Sequence, residues 1–306
     1  MHVARLGLGL AAVGRPAYIT TARDEDLGDP ASRSIEAMRA RAHDLLDEAW
    51  ALGIRYVDAA RSYGRAEEFL GSWLATHPDR RAELTIGSKW GYAYVGEWRM
   101  DAAVHERKEH SAAMFDRQWP ETLAALGSAP DFYLIHSVTP ESTALVDTEL
   151  IDRLRGLRAE GVRVGLSTSG PHQGEVIRTA LAVEDSPFSV VQSTWNLLEP
   201  SVAPALHTAH DAGWTVVVKE ALANGELARA EPGSRLEAVA SGMSPDAFAL
   251  GAAVGRPWAD IVLSGATTRE HLRRGVDARP VDAPPAHALA VDPADYWRRR
   301  SERPWA

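Results

Sequence analysis

The chain has 306 residues, 45% of them hydrophobic and 25% charged, and no cysteine. The apolar share excludes wholesale disorder, the length suits one α/β barrel or two modest domains, and the missing thiols remove disulfides, iron–sulfur clusters and cysteine-based zinc sites. With 42 acidic residues against 33 basic ones the formal charge is −9, which disfavours adhesion to nucleic acid.

From the start, MHVARLGLGLAAVG carries no small-residue cleavage pattern before Arg15, and nothing in the chain approaches the roughly 20 apolar residues of a membrane helix. A soluble, cytoplasmic protein without membrane or nucleic-acid partners is therefore expected. Residues 5–9 read as a first strand, followed by a polar loop over 15–33. Residues 34–52 place Ile35, Met38, Leu45, Leu46 and Ala49 at helical spacing, and Gly53 follows where a left-handed cap is wanted. Next come a strand at 55–58, a helix at 67–77 and a strand at 84–88. The aromatic-rich stretch 90–110 leads to a helix at 113–126 and a strand at 131–136. The same alternation continues with helices at 148–160, 174–183, 202–212 and 245–254 and strands at 162–167, 189–192, 214–219 and 261–264. The tail, 277–306, is rich in proline and alanine and then basic; it reads as a strap across the fold, with Arg298, Arg299 and Arg300 as a solvated charge run.

Eight short strands, several of them near-continuous apolar runs such as FYLIH and WTVVV, alternate with helices and show no break in composition. Strands of that kind are buried on both faces, and the pattern predicts one single-domain (β/α)8 TIM barrel over 1–306, with loop insertions near 15–33 and 90–110 and the strap at 277–306. A doubly wound sheet is the alternative. Gly7, Gly9 and Ala12 fit the looser dinucleotide fingerprint, but a polar loop follows where a helix is required and no second strand ends in an acid about 20 residues on.

In a barrel, side chains at the C-terminal ends of strands face the catalytic mouth. Asp58 ends the second strand, Tyr63 follows in its loop, Lys89 follows the third strand and His136 ends the fourth. Taken singly, each has an ordinary structural reading: a capping Asp, a surface Lys, a satisfied core His. Together at successive strand ends they can converge. A phenol with a pKa near 10 is a weak acid at neutrality; a neighbouring ammonium favours the phenolate, and a downward shift of about 2 units corresponds to roughly 2.7 kcal/mol. Lys89 can supply that ammonium, Asp58 can keep it charged and His136 can orient a carbonyl oxygen. The ensemble suits protonation of an oxygen while hydride reaches its carbon.

These residues sit in GIRYVDAARSYGRAEEFLGSWL, LTIGSKWG and DFYLIHS, and with VRVGLSTSG, VVQSTWNLLEP and IVLSGATTREHL the sequence resembles the aldo-keto reductase family across residues 5–275. In the first segment the shared pattern is Asp58, Tyr63, Gly64, Glu68, Leu70 and Gly71. The resemblance implies an NAD(P)H-dependent oxidoreductase that reduces a small aldehyde or ketone, with Asp58, Tyr63, Lys89 and His136 catalytic and Tyr63 the proton donor. It also implies that Ser167 and Gln192 bind the nicotinamide carboxamide, with Thr168 beside them at the cofactor, and that the loop around Leu222 and Gly225 approaches the pyrophosphate. Gly265, Thr267 and Thr268, at the opening of the helix after the last strand, would meet the adenosine ribose or its phosphate, as a helix N-terminus allows; Thr267 also suits a capping box with Glu270. Trp90, Tyr92, Trp98 and Trp195 are expected to wall the substrate pocket, although aromatics also pin long loops. The sequence departs from the family at Thr168, where asparagine is usual, and at Lys219, where an aromatic ring commonly stacks on the nicotinamide. Lys219 is expected to meet a cofactor phosphate or a substrate carboxylate, or to pair with Glu220. Thr267 replaces a phosphate-binding arginine, for which Arg269 and Arg273 could substitute. NADPH is favoured by the family pattern and NADH stays open.

Other chemistries fit less well. His105 and His110 are five apart and diverge by about 140° on a helix, so they make no zincin pair; His207 and His210 have no third ligand, and no metal is expected. Ser169 spoils a GxSxG elbow at Gly165. The rivals to a reductase are a nucleotide-binding accessory or sensor protein on the same fold, and a sugar or alcohol dehydrogenase running the site in the oxidative direction.

Overall fold

All eight expected strands form in the computed structural model, which describes residues 3–19, 23–240, 242–282, 284 and 288–305. In chain order they are β1 (Leu6–Gly9), β2 (Tyr56–Asp58) and β3 (Thr85–Trp90), then a small hairpin of β4 (Tyr92–Tyr94) and β5 (Glu106–Lys108), then β6 (Phe132–Val138), β7 (Arg163–Thr168), β8 (Phe188–Thr194), β9 (Thr215–Lys219) and β10 (Ile261–Ser264). Apart from the antiparallel hairpin, the strands pair in parallel and close in the order β1-β10-β9-β8-β7-β6-β3-β2. The fold is a (β/α)8 barrel.

Helices α1 (Arg23–Leu27), α2 (Ile35–Ala51), α3 (Ala66–Thr76), α4 (Ala112–Leu126), α5 (Thr148–Ala159), α6 (Gln173–Leu181), α7 (Ala203–Asp211), α8 (Arg235–Ala240), α9 (Pro245–Val254), α10 (Arg269–Asp277) and α11 (Pro293–Ser301) complete the chain. Their starts follow local chemistry. Ser34, Ser111, Asp147 and Asp292 accept backbone N–H bonds as N-caps of α2, α4, α5 and α11, and proline sits in the first turn of α7, α9 and α11. Helix α2 buries Met38, Ala42, Leu45, Leu46 and Ala49, the stripe legible in the sequence.

The lumen follows from the two-residue period of a strand. Tyr56, Phe132, Leu134, Val190, Val217 and Leu263 form their own buried cluster, an apolar plug inside the barrel. Two residues further along the same strand faces stand Asp58, His136, Gln192 and Lys219. One alternation therefore yields an apolar floor and, above it, a ring of polar side chains at the C-terminal mouth.

All three irregular stretches carry more structure than expected: the 15–33 loop holds α1, the 90–110 segment holds the hairpin, and the tail holds α11, whose Tyr296 and Trp297 are buried. Residues 20–22 of the first loop and 283, 285–287 and 306 of the strap lie outside the described residues. Among the described residues no helix is long and apolar enough to cross a membrane.

The Leu70-Gly71 pair has a steric basis. A Cβ at Gly71 would lie 2.0 Å from the carbonyl oxygen of Ala125, so α3 and α4 touch backbone to backbone there. Gly71→Ala is expected to destabilise the chain by about 1–3 kcal/mol through overpacking. Gly156→Ala, on the exposed face of α5 with nothing within 4 Å, should instead be neutral or stabilising by up to about 1 kcal/mol. Urea midpoints check this: that of Gly71→Ala falls, and that of Gly156→Ala holds or rises.

Candidate active site

Lys89 lies at the end of β3 with no solvent exposure. An ammonium has three protons to place, and here each has an acceptor: Asp58 Oδ2 at 2.5 Å, the Ala59 carbonyl at 2.9 Å and Tyr63 Oη at 3.2 Å. Asp58 Oδ1 in turn accepts from Gln192 Nε2 at 2.7 Å, across the lumen from β8, and from Tyr56 Oη at 3.4 Å. Tyr56 reaches that carboxylate because position 87 is glycine; a Cβ there would meet the Tyr56 hydroxyl at 2.2 Å. Since Lys89 donates to Tyr63 Oη, the phenolic proton is left for another acceptor, and Tyr63 borders the cavity.

The Tyr63 ring is set by its turn. Gly64 has φ +60°, and its hydrogen faces the Gly14 carbonyl, where a Cβ would come within 2.4 Å. The ring then meets His136 edge to face at 5.4 Å between centroids. His136 Nδ1 lies 3.3 Å from Ser62 Oγ, and the tautomer in which Ser62 donates leaves the imidazole proton on Nε2. Behind the site, buried Glu67 of α3 accepts from Ser88 at 2.6 Å and from Thr122 at 2.9 Å and pairs with Arg61 at 2.5 Å, tying β3, α3 and α4 together.

A cavity of about 540 Å³ opens over this group, bordered by Asp58, Tyr63, Tyr92, His136, Gln192 and Lys219 and extending to Leu222, Gly225, Gly265 and Thr267. Several expected residues lie elsewhere. Trp90 is wholly buried against Phe115 of α4, Trp98 donates its indole N–H to the Arg33 carbonyl, and Trp195 packs on Trp258; these three rings anchor segments of chain and do not border the cavity. Tyr92, with its ring 5.0 Å from His136, does. Ser167 accepts the Ser137 N–H at 2.7 Å and Thr168 bonds Gln173 and Ser193, both away from the cavity edge, which Ser169 occupies instead.

At the far end, Thr268 is the N-cap of α10, one residue later than the Thr267 box; Thr267 donates to Asp26 Oδ2. Arg269 and Arg273 point outward and pair with Asp44 and Glu48 of α2, so they are not at the cavity. The basic side chains that do border that end are Arg229, His271 and Arg274. Sequence reading missed these, and also missed two ion pairs made by distant segments. Arg15 pairs with Glu106 of β5 at 2.7 Å beneath Trp305, which stacks on His105 at 4.4 Å. Arg300 of α11 clamps Glu220 at the end of β9; it is 20% exposed, unlike its solvated neighbours Arg298 and Arg299.

The pattern that defines the aldo/keto reductase family matches residues 28–282. The chain belongs to this family. A D-threo-aldose 1-dehydrogenase from a Pseudomonas species is 25% identical to this aldo-keto reductase over 205 residues, 61% of this chain and 61% of the relative, so the match spans about three fifths of the relative's length. A solved structure described as an aldo-keto reductase from Pseudomonas aeruginosa is similar at TM-score 0.65 and 25% identity, over 93% of this chain and 91% of the other. The holo form of an aldo-keto reductase from Bacillus halodurans shares the fold at TM-score 0.68 and 19% identity, over 97% and 91% of the two chains. That family acts on small carbonyl compounds and generally uses nicotinamide cofactors.

Burial, then the Asp58 carboxylate, pushes the Tyr63 phenol well above its ordinary range. This runs against the expectation of a phenol made acidic by Lys89: burial and the Asp58 carboxylate outweigh the lowering by Arg15, so Tyr63 stays protonated. Burial also lowers Lys89 against the pull of Asp58, and burial with Lys89 and Lys219 nearby keeps His136 neutral. Glu220 is pushed up by burial but brought down to about 2 by Arg300 and Lys219. Lys219 falls from 10.5 to about 8, chiefly by burial, with Arg300 and Lys89 adding repulsion against the attraction of Glu220.

A lysine at about 8 folded and 10.5 unfolded sheds its proton on folding between those values, so the folded chain gains stability as pH rises across that window. Lys219→Met should therefore be more stable than wild type at pH 7, by about 1–3 kcal/mol, with the gap closing from pH 8 to 10.5. Urea unfolding of both proteins at several pH values reads this; a gap constant across the window contradicts it.

Proposed function

We propose that this aldo-keto reductase reduces a small aldehyde or ketone to the alcohol, with NADPH as reductant and Tyr63 as proton donor. The observation that carries the reading is the saturation of Lys89. Its three protons are all placed, one of them on Tyr63 Oη, so that the hydroxyl's own proton is free to be given to a ligand oxygen in the cavity.

The residues around the cavity suit a nicotinamide dinucleotide. Gln192 holds Asp58 through its nitrogen, and its buried Oε1 has no hydrogen-bond partner, an acceptor that suits a carboxamide N–H. Leu222, Gly225 and Gly265 border the middle of the cavity, and Arg229, His271 and Arg274 stand near the N-terminus of α10, where phosphate is favoured. NADPH is preferred to NADH on the family pattern, and the N-terminus of α10 suits its added phosphate. The cofactor, when bound, supplies hydride.

The chain's own residues perform the rest. His136, neutral, can donate from Nε2 to the carbonyl oxygen and orient it. Tyr63 gives up its proton as negative charge grows on that oxygen, and the phenolate left behind is met by the Lys89 ammonium already hydrogen-bonded to it. Lys89 acts in this way on the product of the proton transfer, which reconciles a raised resting pKa with a donor role. Asp58 fixes Lys89 in place.

The test follows the near-ultraviolet absorbance of NADPH during incubation with a panel of carbonyl compounds, and of NADP⁺ with aldoses and alcohols. Turnover by wild type, lowered about 10²–10⁴-fold in Tyr63→Phe while the variant still binds NADPH, is the expected result. Tight NADPH binding without turnover by either protein would point to the accessory role, and parallel loss of cofactor affinity would assign Tyr63 to binding.

A further inference from the structure

Of the lysine and arginine side chains that border the cavity, four are matched to a carboxylate. Arg15 pairs with Glu106 at 2.7 Å, Arg229 with Glu25 at 2.6 Å, Arg274 with Asp246 at 3.6 Å and Arg300 with Glu220. Lys219, at the end of β9, borders the same cavity, and no hydrogen bond or ion pair holds its ammonium among the described residues. The adjacent carboxylate does not take it. Glu220 sits at φ +57°, and its oxygens are engaged by Arg300 and by Thr194 Oγ1 at 3.0 Å. A half-buried cation with no carboxylate in contact is costly in the ligand-free chain unless something that binds there supplies one.

The place of Lys219 says what that is. Lys219 lies two residues beyond Val217 of the apolar plug, just as Asp58, His136 and Gln192 lie two beyond Tyr56, Leu134 and Val190, and it borders the same cavity. It thus stands at the reacting end, whereas Arg229, His271 and Arg274 border the far end of the cavity. We propose that Lys219 is a specificity-determining residue that receives a carboxylate carried by the carbonyl substrate, so that oxo acids and carboxylated aldehydes are preferred over neutral analogues. This rests on the reductase reading above. Of the lysine and arginine side chains at the cavity, Lys219 is the one with no carboxylate in contact among the described residues, and a ligand carboxylate supplies that contact. Such a ligand also holds Lys219 protonated above pH 8, where the ligand-free chain releases that proton.

The test compares 4-carboxybenzaldehyde with the isosteric neutral 4-carbamoylbenzaldehyde at pH 7. The ratio of their kcat/KM values should exceed about tenfold in wild type, as expected for a hydrogen-bonded charge pair, collapse towards unity in Lys219→Met and recover in Lys219→Arg. Because both values come from one protein, general damage cancels. A wild-type ratio near one, or a ratio unchanged in Lys219→Met, overturns the proposal, and an unchanged ratio with weakened NADPH binding assigns the cation to the cofactor's phosphate. A calorimetric arm needs no turnover: 4-(hydroxymethyl)benzoate and 4-(hydroxymethyl)benzamide are titrated into wild type and Lys219→Met, each with NADP⁺. A benzoate preference lost in the variant supports the assignment even if reduction is never seen. Equal binding of the two ligands by wild type, or binding of neither, sinks it.

Discussion

A lysine ammonium at the closed end of a barrel lumen must be neutralised and have all three protons accepted, or it will not stay charged. Here Asp58, the Ala59 carbonyl and Tyr63 meet that demand, and they come from one strand end and the loop that follows it. The constraint reaches outward. Asp58 can serve Lys89 only while its second oxygen is held by Gln192 and Tyr56, and Tyr56 can reach only because residue 87 has no side chain. Tyr63 keeps its angle because Gly64 lies on Gly14. A catalytic-looking group of four is thus backed by at least as many residues whose contribution is position.

Glu67 belongs to the same logic from the other side of the wall. A buried carboxylate with Ser88, Thr122 and Arg61 around it is satisfied, and it fixes the strand residue next to Lys89 as well as the loop that leads to Tyr63. Buried polar networks of this kind set geometry more than they add stability. The apolar floor below and the polar lattice behind leave the tetrad little freedom except towards the cavity.

Much of this was legible in the sequence, for a physical reason. Parallel strands buried on both faces are apolar runs, so a charged residue at the end of such a run announces itself; Asp58, Lys89 and His136 were visible in that way, and Tyr63 by its spacing from Asp58. Gln192 was visible as the polar end of an apolar strand, although its bond to Asp58 was not. What stayed hidden depends on segments without a periodic signal. Arg15 with Glu106, and Arg300 with Glu220, join residues 91 and 80 positions apart through a loop, a hairpin and the tail, and no local rule pairs them. The aromatic stretch misled because an indole can pin a loop as well as line a pocket: Trp98 spends its N–H on Arg33 and Trp90 its ring on Phe115. Arg269 and Arg273 misled because α10 packs on α2, whose acids Asp44 and Glu48 claim them.

The plug of Tyr56, Phe132, Leu134, Val190, Val217 and Leu263, with Asp58 and Gln192 bridged above it, makes the lumen a cul-de-sac. Among the described residues the floor is closed, so a ligand reaches Asp58 and Gln192 from the C-terminal mouth. Approach from the N-terminal end is shut off by packed side chains, so the polar ring is served from one side of the sheet alone.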